Sequence, residues 1–211
     1  MKRIALAILS AGVLSAHANL IQNGSFENNG SNLYANYGLW QTYTSITGWS
    51  NTGFVEVQNN GLYGSATMAA DGTKWLELDS YSSYSITSQS FAAVAGQTYT
   101  VSFAYAGRPD APASEDVMTV NVNGVLSTYN TTPSALPNGA LNWVTASFDF
   151  TATGSDYISF LDGGPSNSYG MLLDNVKVEV AAVPEPTTLG LFGLGLLAMA
   201  GAARARSKRE A

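Results

Sequence analysis

Apolar and polar residues alternate along much of the middle of the chain. In residues 98–106, one set of alternate positions is large and apolar (Tyr99, Val101, Phe103 and Tyr105), whereas the other set is small or hydroxylated. The same alternation returns in residues 144–150 and 175–180. Because successive side chains of a strand point to opposite faces of a sheet, each of these segments predicts a strand with one face in a core.

Short runs rich in Val, Thr, Tyr and Phe, separated by clusters of Gly, Asn, Asp, Ser and Pro, are typical of an antiparallel β-protein. Nine such runs are predicted to be strands: residues 54–58, 74–78, 84–91, 98–106, 117–122, 125–129, 142–151, 157–161 and 172–180. Asn123-Gly124 joins two of them and predicts a type I′ hairpin turn. Since no long window keeps a helical spacing, the expected fold is an all-β antiparallel sandwich, a jelly roll.

The first eighteen residues have the features of a signal peptide. Lys2 and Arg3 precede the apolar run 4–14, and Ala16-His17-Ala18 has the small-x-small pattern of a signal peptidase site. A membrane-spanning helix is the alternative, but about 11 apolar residues fall short of the roughly 20 that cross a bilayer. The mature chain is therefore expected to begin at Asn19, which leaves 19–182 as one β-sandwich ectodomain.

The C-terminal residues 183–211 have three features in a fixed order. Val183-Pro184-Glu185-Pro186 interrupts any strand, the uncharged run 187–203 predicts a transmembrane helix, and the basic end 204–211 predicts a cytoplasmic terminus. Seventeen helical residues reach about 25 Å, which is enough for a thin bilayer. A permanent anchor and a processed tail are both consistent with this pattern.

This order resembles the PEP-CTERM sorting signal of Gram-negative bacteria. The resemblance implies export, anchoring in the inner membrane through the C-terminal helix, and processing by the membrane enzyme exosortase. The expected partners are thus signal peptidase, exosortase and the inner membrane. The expected final location is the cell surface or the extracellular polymer.

The composition of residues 19–182 excludes several classes of function. Three basic residues stand against thirteen acidic ones, a net charge of −10, so nucleic-acid binding is excluded by charge repulsion. The chain has no Cys, and its one His, His17, lies in the signal peptide. A Ser-His-Asp triad, a Cys-His pair and a histidine-ligated zinc are therefore excluded as well.

Residues 19–27 and 172–176, together with Gly48-Trp49 and 75–79, resemble galactose-binding-like jelly rolls, which include many carbohydrate-binding modules. The resemblance implies a structural Ca²⁺ near Glu27 and Asp174. Asp174 has the parity of Leu172 and Val176, so a strand over 172–180 points its carboxylate toward the core, where a bare charge is costly. The alternative is a strand that begins at Val176, with Asp174 in a turn.

Candidate ligand-binding residues lie in and after the run 74–79. Leu76 and Leu78 alternate with Trp75, Glu77 and Asp79, and an indole beside two carboxylates is suited to stack on a sugar and bind its hydroxyls. Tyr81 follows closely. The alternative is that Trp75 covers the second sheet. Arg108, in a loop between two strong strands, is a further candidate contact, or it pairs with Asp110 or Glu115.

Two functions follow from these residues. The preferred one is a non-catalytic surface or matrix protein that binds polysaccharide or has a structural role. The alternative is a glycoside hydrolase using Glu77 and Asp79, whose same-face positions on a strand place them roughly 7 Å apart, within the range of such carboxylate pairs.

Overall fold

Two antiparallel sheets face each other in the computed structural model, which describes residues 18–31, 33–80, 83–84, 86–134 and 136–182. Within this part, the structure contains one short 3₁₀ turn, Pro137–Gly139, and fourteen strands. The strands are β1 (Leu33–Asn36), β2 (Trp40–Tyr43), β3 (Ser50–Thr52), β4 (Val55–Asn59), β5 (Lys74–Glu77), β6 (Asp79–Ser80), β7 (Ser83–Tyr84), β8 (Ile86–Phe91), β9 (Thr98–Ala106), β10 (Val117–Val122), β11 (Val125–Asn130), β12 (Val144–Thr151), β13 (Asp156–Asp162) and β14 (Leu172–Val180).

The two large sheets have seven and five strands. The seven-stranded sheet has the order β1-β2-β4-β5-β14-β9-β12, and the five-stranded sheet has the order β11-β10-β13-β8-β3. β6 and β7 form a separate two-stranded ladder. All of these strand pairs are antiparallel, which confirms the predicted all-β sandwich.

The main core lies between the two sheets. Val101 and Phe103 from β9 pack with Val120 from β10 and with Ile158 and Phe160 from β13, and all five are almost fully buried. The rings of Phe103 and Phe160 meet edge to face, with centroids 5.3 Å apart. The alternation read from residues 98–106 therefore places its apolar positions in this core.

Several predicted strands agree with the structure to the residue. These are 98–106, 117–122 and 172–180, and the predicted hairpin turn is confirmed by positive φ angles of 52° at Asn123 and 88° at Gly124. Four short strands, β1, β2, β3 and β6, were not predicted. β1 and β3 are edge strands of only four and three residues with mostly exposed side chains, too short to show a core-facing alternation in the sequence.

A β-bulge in β14 corrects the predicted orientation of Asp174. The register shifts between Asp174 and Lys177, and Asn175 has a φ of 52°. The bulge inserts one residue, so Leu173 faces the main core with Val176, whereas Leu172 faces the opposite side of the sheet. Asp174 thus lies on the outer side of the seven-stranded sheet and not on the core side.

A second apolar layer covers that outer side. Trp75 from β5, Ala106 from β9 and Leu172 from β14 form a buried cluster beneath half-buried residues of two loops, namely Leu62, Tyr63, Ala69, Leu141 and Trp143. The rings of Trp75 and Trp143 meet edge to face at 6.3 Å. Residues 74–77 therefore alternate between two buried layers rather than between core and solvent.

The chain divides into two units, residues 1–180 and 181–211. Residues 1–17 and 183–211 lie outside the described residues, and with them Val183, Pro184, Glu185, Pro186 and nearly all of the predicted signal peptide. In the described part, no helix is both long and apolar enough to cross a membrane.

Candidate functional site

An open cavity of about 450 Å³ lies on the outer side of the seven-stranded sheet, and we call it the rim pocket. Its wall combines aromatic rings with charged and amide side chains. The lining residues are Trp40, Glu56, Leu62, Tyr63, Arg108, Asp110, Asn167, Ser168 and Tyr169.

Tyr63 is held over the sheet by a close approach of two loops. A Cβ on Gly64 would collide with the backbone of Asn138, and one on Gly139 would collide with the backbone of Tyr63. Both glycines have positive φ angles, so other residues would be strained there. The buried hydroxyl of Thr67 accepts from the Tyr63 N–H at 3.1 Å and donates to the Gly139 carbonyl at 2.8 Å.

Gln58 on β4 connects the pocket to the buried layer below it. Its Oε1 accepts hydrogen bonds from Trp75 Nε1 and from the Tyr63 hydroxyl, each at 2.8 Å. Its Nε2 donates to Glu56 Oε1 at 2.7 Å. Two of these hydrogen bonds are buried and the one from Tyr63 is partly buried, so they fix the side chains of Tyr63 and Glu56 in the absence of a ligand.

Arg108 is the cation of the rim pocket and is nearly buried. Its Nε and Nη2 donate to the two carboxylate oxygens of Asp110 at 2.9 and 3.1 Å, and Nη1 lies 3.4 Å from Glu77 Oε1. Its Cζ lies 4.6 Å from the ring centroid of Tyr169 and 5.8 Å from that of Tyr63. Burial alone would lower the pKa of Arg108, but Asp110 and Glu77 raise it.

Burial changes the acidity of the groups around Arg108. It raises the pKa of Glu56, although the hydrogen bond from Gln58 opposes the shift. It raises the pKa of Glu77 well above the usual range, and the charge of Glu56 adds to the shift. The pKa of the Tyr63 hydroxyl is also raised well above its usual value by burial. The floor of the pocket therefore favours neutral forms of these groups.

Of the predicted ligand-binding residues, Arg108 lines the rim pocket, whereas Trp75, Glu77 and Asp79 are buried beneath the surface. Trp75, Glu77 and Asp79 are each 0% exposed. Trp75 has no free ring face for a sugar and instead supports the pocket from below through Gln58, in line with the alternative that it covers the sheet. Tyr81 lies outside the described residues. Arg108 lies in the pocket and pairs with Asp110, as one reading of the sequence anticipated.

A group of buried carboxyls, Asp79, Glu115 and Asp162, lies behind the pocket. Asp79 Oδ2 accepts the N–H groups of Asn167 and Ser168, and the Asn167 side chain donates to Glu115 Oε1. One oxygen of each of the three carboxyls is buried without a hydrogen-bond partner. Burial, and then the charge of Asp79, raises the pKa of Asp162 to about 7. A proton on Asp162 would supply a missing donor to this group.

Glu27 and Asp174 both hold the loop before β5. Glu27 Oε1 accepts the N–H groups of Thr73 and Lys74 at 2.6 and 2.7 Å, and Oε2 accepts the Thr73 hydroxyl. Asp174 accepts the N–H of Asp71 through Oδ2, at 2.8 Å, and that of Asn175 through Oδ1, at 2.6 Å. Both carboxylates thus stabilise one loop by hydrogen bonds.

Ca²⁺ at Glu27 and Asp174 stays a prediction. A cation there would have to replace N–H donors that now occupy these carboxylates, and no group of three or more His, Asp or Glu among the described residues is arranged to hold a metal ion. If Ca²⁺ binds the folded state alone, a chelator should lower the melting temperature. An unchanged melting curve would exclude Glu27 and Asp174 as ligands.

Sequence reasoning missed most of the rim pocket. Glu56 lies on β4, Tyr63 in the loop after it, and Asn167 and Tyr169 in the loop before β14, and only the fold brings them to Arg108. The segment between β13 and β14 carries no predicted strand, but the sequence does not show that its backbone N–H groups donate to Asp79 and Glu77. Arg108 was the one pocket residue that the sequence indicated, because it is a charged residue between Gly107 and Pro109 in a long loop.

The sandwich with a pocket on the outer side of one sheet is a jelly roll of the kind found in carbohydrate-binding modules. The chain belongs to the DUF642 family, whose description is a protein of unknown function and whose model matches residues 19–179. Residues 182–207 match the PEP-CTERM protein-sorting motif, as the sequence resemblance predicted. That motif indicates an exported, membrane-anchored substrate of exosortase.

Known proteins resemble the chain in fold and, more distantly, in sequence. TmCBM61, solved in complex with β-1,4-galactotriose, superposes with a TM-score of 0.50 at 17% identity and covers 78% of this chain and 99% of its own. A CBM4 structure has a TM-score of 0.42 at 20% identity, with 76% and 99% covered. Halomucin of Haloquadratum walsbyi is 29% identical over 87% of this chain, but the chain spans only 2% of that relative.

Proposed function

We propose that this chain is an exported surface protein whose jelly roll binds polysaccharide in the rim pocket and catalyses no reaction. The observation that carries the proposal is the combination, in one open cavity, of aromatic rings with groups that hydrogen-bond hydroxyls. Sugars present both complementary surfaces, because C–H faces pack on rings and hydroxyls bond to carboxylates, amides and guanidinium groups.

The aromatic rings that face the cavity differ in their exposure and in the contacts that hold them. Tyr169 is 40% exposed, whereas Tyr63 is half-buried and held by Gln58. Trp40 lies at the edge and stacks on Tyr37, with ring centroids 4.0 Å apart. The fixed Tyr63 and the edge Trp40 give the pocket a preformed shape, which lowers the entropy that a ligand must overcome on binding.

The buried state of the candidate carboxylate pair supports a non-catalytic role. A glycosidase needs two carboxyl groups that flank the scissile bond. Glu77 and Asp79 are fully buried, and they accept N–H groups of Gly170 at 2.5 Å and Asn167 at 2.7 Å. A glycosidic bond has no access to either group without removal of the 167–170 segment.

The family resemblance in fold and the sorting motif support the class of ligand and the address. TmCBM61 was solved with a galactotriose, and its fold is the one that this chain shares. The PEP-CTERM motif supports export, anchoring in the inner membrane, processing by exosortase and transfer to the cell surface or the extracellular polymer. Signal peptidase would remove residues 1–18 on the way. Surface labelling of intact cells tests the address, and a chain that labels only after lysis would contradict it.

Removal of an exposed ring from the pocket should weaken glycan binding. We expect Tyr169→Ala, in the full chain purified in detergent, to lower affinity on a polysaccharide array by about tenfold, because stacking on a ring contributes roughly 0.5–1.5 kcal/mol beyond area burial. Tyr157→Ala is the matched control, since Tyr157 is a half-buried tyrosine of the other sheet. No binding by the wild-type chain, or equal losses in both variants, would contradict the proposed site.

The same incubations distinguish binding from hydrolysis. New reducing ends in the bound polysaccharide would reveal a glycosidase and overturn the non-catalytic part of the proposal. We expect none, because the carboxylates of the pocket wall are already committed: Asp110 bonds to Arg108, and Glu56 accepts from Gln58.

A further inference from the structure

Each of the three guanidinium nitrogens of Arg108 makes a hydrogen bond within the protein. Nε and Nη2 form a two-point contact with the Asp110 carboxylate, and Nη1 donates to the Ser168 carbonyl at 3.3 Å beside Glu77. The side chain is 12% exposed. A two-point guanidinium–carboxylate pair is among the stronger contacts that arginine makes, so an anionic ligand would have to compete with Asp110 for it.

Carboxyl groups outnumber cations at the rim pocket. Glu56 and Asp110 line it, and Glu77 lies beneath Arg108. The two other basic residues of the described domain lie elsewhere. Lys74 donates through Nζ to the Glu27 carbonyl, and Lys177 lies on β14, opposite Ser102 of β9 in the strand ladder. No cation in the described part is therefore left to receive a ligand carboxylate or sulfate in this pocket.

We infer that the rim pocket selects neutral sugars over anionic ones, and that Asp110 is the residue that determines this choice by occupying Arg108. This inference rests on the proposed function. Its physical basis is the placement of like charges: a uronate or sulfate group in the pocket faces the half-exposed Asp110 carboxylate without gaining the guanidinium that Asp110 occupies. A neutral hydroxyl instead donates to the Asp110 carboxylate and gains from its charge.

Matched polysaccharides test the inference. The probes are neutral glucan, galactan and mannan, each compared with the same polymer oxidised at C6 to the uronate, and the measurement is the affinity ratio of oxidised to neutral polymer for the full chain. The wild-type protein should retain neutral polymers and bind their oxidised forms at least about tenfold more weakly. Asp110→Asn should raise the ratio by about tenfold, and added salt should reduce that gain because the gain is electrostatic.

Asp149→Asn is the matched control. It removes one negative charge from an exposed position on β12, outside the rim pocket, and should leave the ratio unchanged. Asp110→Ser is a second variant that lacks the carboxylate. If the melting curve of one variant shows a folding defect, the other variant still tests the inference. Asp110 is half-exposed, which makes both variants tolerable.

The outcomes separate the two proposals. Retention of neither polymer by the wild-type chain overturns the proposed function and this inference with it. Equal retention of neutral and oxidised polymers leaves polysaccharide binding in place and overturns the inference alone. An unchanged ratio in both Asp110 variants, or an equal rise in Asp149→Asn, removes Asp110 as the specificity determinant.

Discussion

Trp75→Ala should destabilise the protein by about 3–5 kcal/mol, as expected for removal of a buried tryptophan. Trp75 is fully buried between Trp143 and the seven-stranded sheet, and its Nε1 donates to Gln58. For a domain of this size the loss corresponds to a melting temperature lower by roughly 6–20 °C. Chemical denaturation and thermal melting measure the change directly.

Two variants calibrate this result. Trp40→Ala removes the same side chain from a half-buried position on β2 and should cost much less. Trp75→Phe keeps a ring but not the donor to Gln58, and should have an intermediate effect because Tyr63 still donates to that oxygen. Equal losses for Trp75→Ala and Trp40→Ala would contradict the burial of Trp75. Since Trp75→Ala also releases Gln58, a weaker glycan affinity in that variant would not by itself indicate sugar contact.

The free energy of unfolding should fall as pH rises from 5 to 8. Burial raises the pKa of Asp162 and Asp174 to about 7 and that of Asp116 to about 6. In the unfolded chain these groups titrate near 3.9, so between pH 4 and 7 the folded state binds more protons. Stability is therefore greatest at the acidic end of this range and is lost as the folded carboxyls ionise.

The expected size of this effect is large. A carboxyl whose pKa rises from 3.8 to about 7 changes the free energy of unfolding by roughly 4 kcal/mol in all, of which about 3 kcal/mol falls between pH 5 and 8. Asp156 does not oppose it, because its pKa is lowered: burial would raise it, but hydrogen bonds from Thr153 and Asn123 outweigh burial. Asp156 is thus ionised in both states above pH 5. Denaturation at pH 5, 6, 7 and 8 measures the slope.

Asp162→Asn provides the sharpest check on the cause. Oδ1 of Asp162 is buried without a partner near Asp79, so an amide there supplies a donor without a titration. The variant should be more stable than wild type at pH 8 and should show a smaller difference between pH 5 and pH 8. Asp149→Asn, at an exposed position, should keep the wild-type difference. A flat wild-type profile would contradict the burial of these carboxyls as ionisable groups.

The β-sandwich followed from the sequence because its signals are local. The parity of Tyr99, Val101 and Phe103 is set by the strand geometry itself, and Asn123-Gly124 supports positive φ wherever it occurs. The sorting tail could also be predicted from the sequence, since the length of an apolar segment and the position of the charges beside it determine its membrane insertion and orientation. Neither depends on distant parts of the chain.

The sequence did not predict which face of the sheet Asp174 lies on, nor that Trp75 is buried. One inserted residue at Asn175 reverses the faces of β14, and the sequence does not mark a bulge. Trp75, Glu77 and Asp79 look like an exposed face until the loops around Tyr63 and Trp143 cover it. A polar face of a strand does not specify whether it meets water or another layer.

The sequence by itself therefore determined an exported, strongly acidic, antiparallel sandwich with a sorting tail, because alternation, charge and segment length act over a few residues. Only the tertiary structure decided where a ligand would meet it. The rim pocket consists of side chains from β2, β4 and three loops, and its electrostatics depend on the distance between Arg108 and Glu77 and on the burial of Glu77. Distances and burial between sequence-distant groups arise from packing, so they appear only once the chain is folded.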